Sequence, residues 1–450
     1  MLPARFVVAG THSGVGKTTI ATGLMAALRR AGHRVGAAKV GPDFIDPGYH
    51  SLAVRRPSRN LDIWMCGVDA IAPLAGRAGD GVDILVIEGV MGLFDGAGDG
   101  TLSSSADVAA VLQAPVILVV DAASMSQSVA ALVHGFATHD PRTRLAGVIL
   151  NRVGSVGHEA LLRDALAALP IPVLGVLRRD ERLGWRNRHL GLVPVAERSP
   201  EVAASIDVLA ELITEQCDLA AIARIAAAAP TRATTTPCMP APVSGGRVRI
   251  AVASGPAFSF TYPDNLEALD AAGAELVAFD PCTASALPPG CRGLVAGGGF
   301  PEVYAPQLSA NAPLLADVRR RIAEGLVTWA ECGGLLWLCA ELDGQPMAGV
   351  IAANAQMTPR LTLGYRTATS CVPTPLGPAG TVLRGHEFHY SATDPPGQLF
   401  TLVGRHGRNS GGFGHARLLA SYLHTHLGAR PDVAQSFVAN CAALRPPYES

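Results

Sequence analysis

Short apolar runs punctuate the first half of the chain at residues 5–9, 34–39, 83–87, 116–120, 146–150 and 173–176. Each is the length of a buried strand, and amphipathic stretches such as residues 20–30 fill the intervals. Regular strand–helix alternation predicts a parallel, doubly wound α/β sheet. A second α/β series opens at residues 248–253 and continues at 275–279, 293–296 and 326–330, with a helix around 266–271. After that the pattern becomes β-rich, with strands expected at 348–351, 362–369, 386–390 and 399–403 and in a run over 419–426. Between the two series, residues 223–246 are dominated by Ala, Thr and Pro, a composition that reads as a linker. Three segments follow: a domain over 1–222, the linker over 223–246, and a domain over 247–450.

Composition narrows the function classes. The chain has 450 residues, of which 16% are charged, with a formal net charge of -1. That balance gives no general electrostatic support to a nucleic-acid partner. Its nine cysteines are odd in number and scattered, which fits a reduced, cytoplasmic setting better than a disulfide framework. A strand is expected within a few residues of the start, which argues against a signal peptide. No apolar run approaches the roughly 18 residues of a membrane span.

The first strand leads into Gly10-Thr-His-Ser-Gly-Val-Gly-Lys-Thr-Thr19 and then a helix, the setting of a phosphate loop. Backbone N–H groups from Gly14 through Val15 and Gly16 to Lys17 are placed to cradle a triphosphate, with Thr19 closing the loop. Lys17 would reach the β- and γ-phosphates and Thr18 would ligate Mg²⁺. The spacing is not strict, because Thr11 stands where the first glycine belongs. Acidic residues fall at the carboxyl ends of the predicted strands, where such sheets bind ligands. Glu88 and one of Asp43 or Asp46 are the natural Mg²⁺ partners. Asp95 precedes Gly96 and reads either as a ligand or as a turn residue. Asn151, at a strand end, reads either as an adenine contact or as a turn.

In the second domain, Glu331-Cys332-Gly-Gly334 joins a buried strand to a helix. A cysteine on such a bend is how a nucleophile is exposed, and the helix N-terminus favours its thiolate. Gly297-Gly298-Gly299 follows an earlier strand and offers backbone N–H groups to an oxyanion. A cysteine nucleophile needs a base. His424 and His426 are the nearest candidates in the pattern, with His386 and His389 competing. No acidic or cysteine partners stand at a spacing that would make these histidines a zinc site.

Taken together, five stretches resemble the cobyrinic and hydrogenobyrinic acid a,c-diamide synthases of cobalamin biosynthesis across nearly the whole chain. They are the phosphate loop, Gly41-Pro-Asp-Phe-Ile-Asp-Pro-Gly-Tyr-His50, Glu88-Gly-Val-Met-Gly-Leu-Phe-Asp-Gly96, Gly297-Gly-Gly-Phe-Pro-Glu302 and Ser421-Tyr-Leu-His-Thr-His426. The resemblance implies a dethiobiotin-synthetase-like ATPase domain fused to a class I glutamine amidotransferase domain. It implies that Cys332 attacks glutamine, that His424 raises its nucleophilicity, and that Gly298 and Gly299 hold the oxyanion. It also implies that ATP phosphorylates a corrinoid carboxylate, with Asp43, Asp46, Glu88 and Asp95 organising Mg²⁺, substrate and transition state. Many class I amidotransferases carry Glu two residues after the catalytic histidine; here His426 stands there, so what orients His424 is left open. ATP, glutamine and the corrinoid are the expected partners, and a homodimer is the commonest state. Two other readings remain: a cobyric acid synthase or other tetrapyrrole amidase, and a partitioning-type regulatory ATPase. The latter proteins carry a lysine near the start of the loop, where this chain has His12.

Overall fold

The computed structural model describes residues 1–98, 100–180, 199–234 and 239–444. It divides into two compact units, Met1–Pro237 and Cys238–Ser450. The strands of the first are β1 (Ala4–Gly10), β2 (Val35–Val40), β3 (Arg59–Leu61), β4 (Ile84–Glu88), β5 (Val116–Asp121), β6 (Leu145–Val153) and β7 (Val173–Arg178). They form one parallel sheet in the order β3-β2-β4-β1-β5-β6-β7. Alternation along β1 serves two cores. Val7 and Ala9 pack into one cluster, while Phe6 and Val8 join Ile20 and Leu24 of helix α1 (Lys17–Arg30) in the other. The chain winds away from β1 to both sides, so the loop at its carboxyl end lies at a topological switch point.

The linker expected over 223–246 is structured at both ends. Residues 223–227 complete the helix Leu219–Ala227, whose Ile222 and Ala226 are buried. Pro230 O then accepts from the buried Arg5 guanidinium at 2.9 Å, and Arg232 O accepts from Leu2 N at 2.8 Å. The composition hides this because the anchoring runs through backbone carbonyls, which every residue carries. Val243 N donates to Ala272 O at 2.9 Å within the second unit. Residues 235–238 of the expected linker lie outside the described residues.

In the second unit, β8 (Val248–Ala253), β9 (Ala274–Phe279), β10 (Gly293–Ala296) and β11 (Val327–Glu331) are followed by the short β12 (Glu341–Leu342) and β13 (Gln345–Pro346). Then come β14 (Asn354–Ser370), β15 (Val382–Asp394), β16 (Phe400–Gly404), β17 (Gly407–Gly411), β18 (Phe413–His415), β19 (Leu418–Ser421) and β20 (His424–Thr425). One sheet runs β18-β19-β11-β10-β8-β9, parallel but for the β18 edge. A second, mostly antiparallel, is built on the long β14–β15 pair.

Two expectations change here. Residues 348–351 are not a strand: Ala348 N and Val350 N donate to Trp337 O and Leu338 O, so this apolar segment pads the end of a helix. The run over 419–426 is two strands in different sheets. It leaves β11 beside Ser421 and reappears as β20 against β15, with His424 opposite His386.

Candidate functional site

The phosphate loop takes the conformation its glycines permit. Gly14 and Gly16 have φ of 86° and 96°, in the left-handed region that favours glycine. A side chain at Gly16 would collide with the Asn151 amide. That amide donates to Val15 O at 2.8 Å, while its oxygen accepts from Arg152 N at 2.9 Å. Asn151 therefore buttresses the loop from β6. Lys17 Nζ donates to His12 O at 3.1 Å, folded over the loop. Burial, then the neighbouring Lys39, lowers the Lys17 pKa to about 8. Thr19 is half-buried in the first turn of α1.

Behind the loop, three strand ends and helix α2 (Asp46–Val54) converge on one charged cluster. Thr18 Oγ1 lies 2.7 Å from Glu88 Oε1 and 3.3 Å from Asp46 Oδ2. Lys39 Nζ sits between the same carboxylates, 2.6 Å from Asp46 and 2.9 Å from Glu88. His50 Nε2 meets the other Glu88 oxygen at 2.6 Å. Burial pushes the Glu88 pKa up, but Lys39 and His50 outweigh it and hold the carboxyl below its ordinary value. Asp46 goes the other way, raised to about 7 by burial and by Glu88 against the opposing pull of Lys39. Asp43 Oδ1 accepts from Ile45 N and Asp46 N at 2.7 and 3.1 Å, so it caps α2 from just outside the cluster. Asp95 Oδ2 accepts from Gly92 N at 2.9 Å, turning this loop back so that Leu93 N reaches Gly10 O at 2.8 Å.

In the second unit, Cys332 is 6% exposed and has φ 47° and ψ -100°, a backbone region that non-glycine residues rarely enter. The bend is pinned from both sides. Cys332 N donates to Ser421 O at 2.8 Å and Gly334 N to Gly297 O at 2.9 Å. A side chain at Gly334 would run into Ala296 O, so the elbow must close on β10 without one. Gly298 N donates to Phe260 O at 3.1 Å, which commits that amide and leaves it unavailable to an oxyanion. Its other constraint is steric, since a Cβ there would stand 2.5 Å from His424 Cε1. Gly299 N lies against Gly333, and among the described residues neither of these two amides donates a hydrogen bond.

His424 lies where the Cys332 side chain acts on it. Its Nδ1 faces Glu331 Oε2 at 3.6 Å, an ion-pair distance longer than an ordinary hydrogen bond. Burial alone would lower its pKa; the Cys332 and Glu331 side chains outweigh it and raise the value to about 10. His386 stacks on His424 with centroids 5.0 Å apart and meets Tyr262 Oη at 3.0 Å. Burial, then His424, pushes the His386 pKa well down, so the ring stays uncharged. His389 stacks on Tyr422 and binds Ser391 O at 2.7 Å through Nδ1. His426 turns the other way: its Nδ1 accepts from Gly428 N at 3.1 Å and its Nε2 faces Asp264 at 3.8 Å. Of the four histidines, only His424 is brought to the Cys332 sulfur.

Comparison with known proteins matches both units. Residues 6–192 fit the CobQ/CobB/MinD/ParA nucleotide binding domain, and residues 249–432 fit the CobB/CobQ-like glutamine amidotransferase domain. The hydrogenobyrinate a,c-diamide synthase of Streptomyces coelicolor is 48% identical over 97% of both chains. The chain belongs to the a,c-diamide synthase family. Among these synthases, the hydrogenobyrinate enzyme of Thermobifida fusca is 46% identical over 98% of both chains. The cobyrinate enzyme of a Synechococcus strain is 42% identical over 97% of this chain.

Three residues of this diamide synthase's sites escaped the sequence reading. Lys39 is the fifth of six buried residues in β2, where a lysine is costly unless it is paired. Glu331 ends the buried strand β11. An ionisable residue at or next to the end of an apolar strand was the available signal for both. His50 lies within a quoted motif, but nothing in its spacing pointed to Glu88.

Proposed function

We propose that this chain is an ATP- and glutamine-dependent amide ligase acting on the a and c side-chain carboxylates of a corrinoid. What supports the reading most directly is that both sites occur in one chain resembling diamide synthases over 97% of its length. A carboxylate is a poor electrophile, so one site would transfer the γ-phosphoryl group of ATP to its oxygen, giving an acyl phosphate and ADP. At the other, the Cys332 sulfur attacks the glutamine carboxamide and expels ammonia protonated by His424. Water then frees glutamate from the thioester. Ammonia attacks the acyl phosphate, phosphate leaves, and the carboxamide remains. Gly299 and Gly333 N–H are the donors we assign to the oxyanion.

Thr18, Asp46 and Glu88 supply adjacent hard oxygen donors, a set suited to Mg²⁺, with Asp43 at its edge. Such an ion neutralises phosphate charge. Lys17 would unfold from His12 O toward the phosphates, and the unused Asn151 N–H is left for adenine. Asp95, turned onto the phosphate loop, is assigned to the substrate side. We place the enzyme in the cytoplasm, as a homodimer that sedimentation would check.

The relatives at 46–48% identity are named for the cobalt-free ring and those at 39–43% for the cobalt-bearing one, which favours hydrogenobyrinate here. The test supplies ATP, Mg²⁺, glutamine and either ring, and follows the corrinoid by mass spectrometry. Two amidations, faster on the cobalt-free ring, are expected. ATP hydrolysis with no amidated product from either ring would refute the substrate assignment.

A further inference from the structure

The acidic residue that orients the catalytic histidine in many amidotransferases is replaced here by His426, which faces Asp264. His424 still carries a buried carboxylate at its Nδ1, supplied from another strand. We propose that Glu331 is the positioning residue of the glutamine site, holding His424 toward the Cys332 sulfur. The proposal rests on the assignment of Cys332 and His424 to glutamine hydrolysis.

Three observations carry it. Glu331 is the last residue of β11, so the backbone that presents the nucleophile also presents the carboxylate. Register fixes that backbone, since Glu331 pairs with Ser421 while Cys332 N bonds Ser421 O at 2.8 Å. Next, the carboxylate is itself oriented. Its Oε1 accepts from Thr425 N at 3.0 Å and Thr425 Oγ1 at 2.7 Å, which leaves Oε2 toward His424. The residue after the base thus anchors the group that orients the base. Finally, Glu331 is 6% exposed at the end of a strand whose other residues are buried, and a carboxylate is costly there unless paired. The charged and titratable groups around His424 are few. Glu331 approaches from the end of β11 and Cys332 from the bend just after it; His386, His389 and Glu387 approach from β15, the last paired with Arg366 of β14 at 2.8 Å. Glu331 is the one of these that meets Nδ1 with a charge.

Glu331→Gln tests the role, because a glutamine amide oxygen still accepts from Thr425 while the charge is gone. In the full-length enzyme, glutamine-dependent kcat is expected to fall roughly 100-fold, the size of a general acid–base contribution. KM for glutamine and ammonium-supported amidation should stay within about twofold. The alkaline limb of the glutaminase pH profile should move to lower pH, since an imidazolium without its carboxylate gives up its proton sooner. A purely structural Glu331 would not shift that limb. Glu331→Asp, which keeps the charge but shortens the reach, should restore the limb with partial activity, and it serves if the Gln variant does not fold. Unchanged glutaminase rate and pH profile in the Gln variant would overturn the proposal. Retained glutaminase activity in His424→Ala would instead overturn the assignment on which it rests.

Discussion

Around Thr18, two carboxylates and Lys39 crowd together with Lys17 close by, and only Thr18 and Asp46 of the group are partly exposed. Around Cys332, one imidazole, one carboxylate and a thiol are sealed among apolar neighbours and uncharged histidines. The first site handles charge by mutual compensation: Lys39 and His50 hold Glu88 ionised, and the competition leaves Asp46 raised to about 7. The second handles it by burial, with His424 set between the Cys332 and Glu331 side chains. A site that must admit a triphosphate and its counter-ion benefits from groups that can be re-paired. A site that must activate one sulfur benefits from a geometry with no alternative.

The sharpest break between the two is Cys332→Ala. Glutamine-dependent amidation should fall by roughly a thousandfold or more, because the proposed nucleophile is gone. Ammonium-supported amidation should persist at the wild-type rate, read by mass spectrometry of the corrinoid. Equal loss with both nitrogen sources would mean that the sites are not separable.

Glu88→Gln attacks the compensated site. It leaves Lys39 paired with Asp46 alone and His50 without its carboxylate. We expect both glutamine- and ammonium-supported activity to fall by about 100-fold through lost phosphate and Mg²⁺ organisation. Breaking a buried pair on one side also costs about 3 kcal/mol, readable from the urea midpoint of the first unit. Unchanged stability would show that Lys39 finds another partner.

Gly298→Ala sharpens the contrast at smaller cost. The added methyl would stand 2.5 Å from His424 Cε1 and 3.3 Å from Phe260 Cβ. His424 is stacked on His386 and cannot swing far, so glutaminase activity should drop about 10- to 100-fold while ammonium-supported activity holds. A normal glutaminase rate would place the His424 ring elsewhere.

Legibility divided along the same line. The phosphate loop, Glu88 and the Cys332 elbow were readable because each is written in consecutive residues with a local backbone reason. The parallel sheets were readable because their strands are short, buried and regularly spaced. Lys39 and Glu331 were not, because their partners stand 7 and 49 residues away for the first and 94 for the second. The split of 419–426 into β19 and β20 was hidden as well, since an apolar run does not say where a strand changes sheets. Gly298 shows a subtler limit: the glycine was found, but its amide is taken by Phe260 O, and a side chain there would meet the His424 ring.

The smallest effect expected concerns proton linkage in the sealed site. Burial pushes the His389 pKa down to about 4 and holds His386 well below its ordinary value, whereas an unfolded histidine titrates near 6.5. Between those values the unfolded chain binds protons that the folded one refuses, so stability is full above about 6.5 and falls as pH drops toward 4. His424 has the opposite sign: raised to about 10, it stabilises fully below 6.5 and loses that contribution as pH climbs. The acid-side loss therefore belongs to His386 and His389, and it can be isolated at one of them. His389→Phe keeps the stack on Tyr422, 3.7 Å between centroids, but forfeits the bond to Ser391 O. At pH 7 the variant should be less stable by about 1 kcal/mol, the worth of one hydrogen bond. At pH 5 the deficit should vanish or reverse by about 1 kcal/mol, because a phenyl ring has no proton to refuse. Urea midpoints at the two pH values measure the difference; a deficit equal at both would mean that His389 titrates normally and that the sealing of this site is weaker than its burial implies.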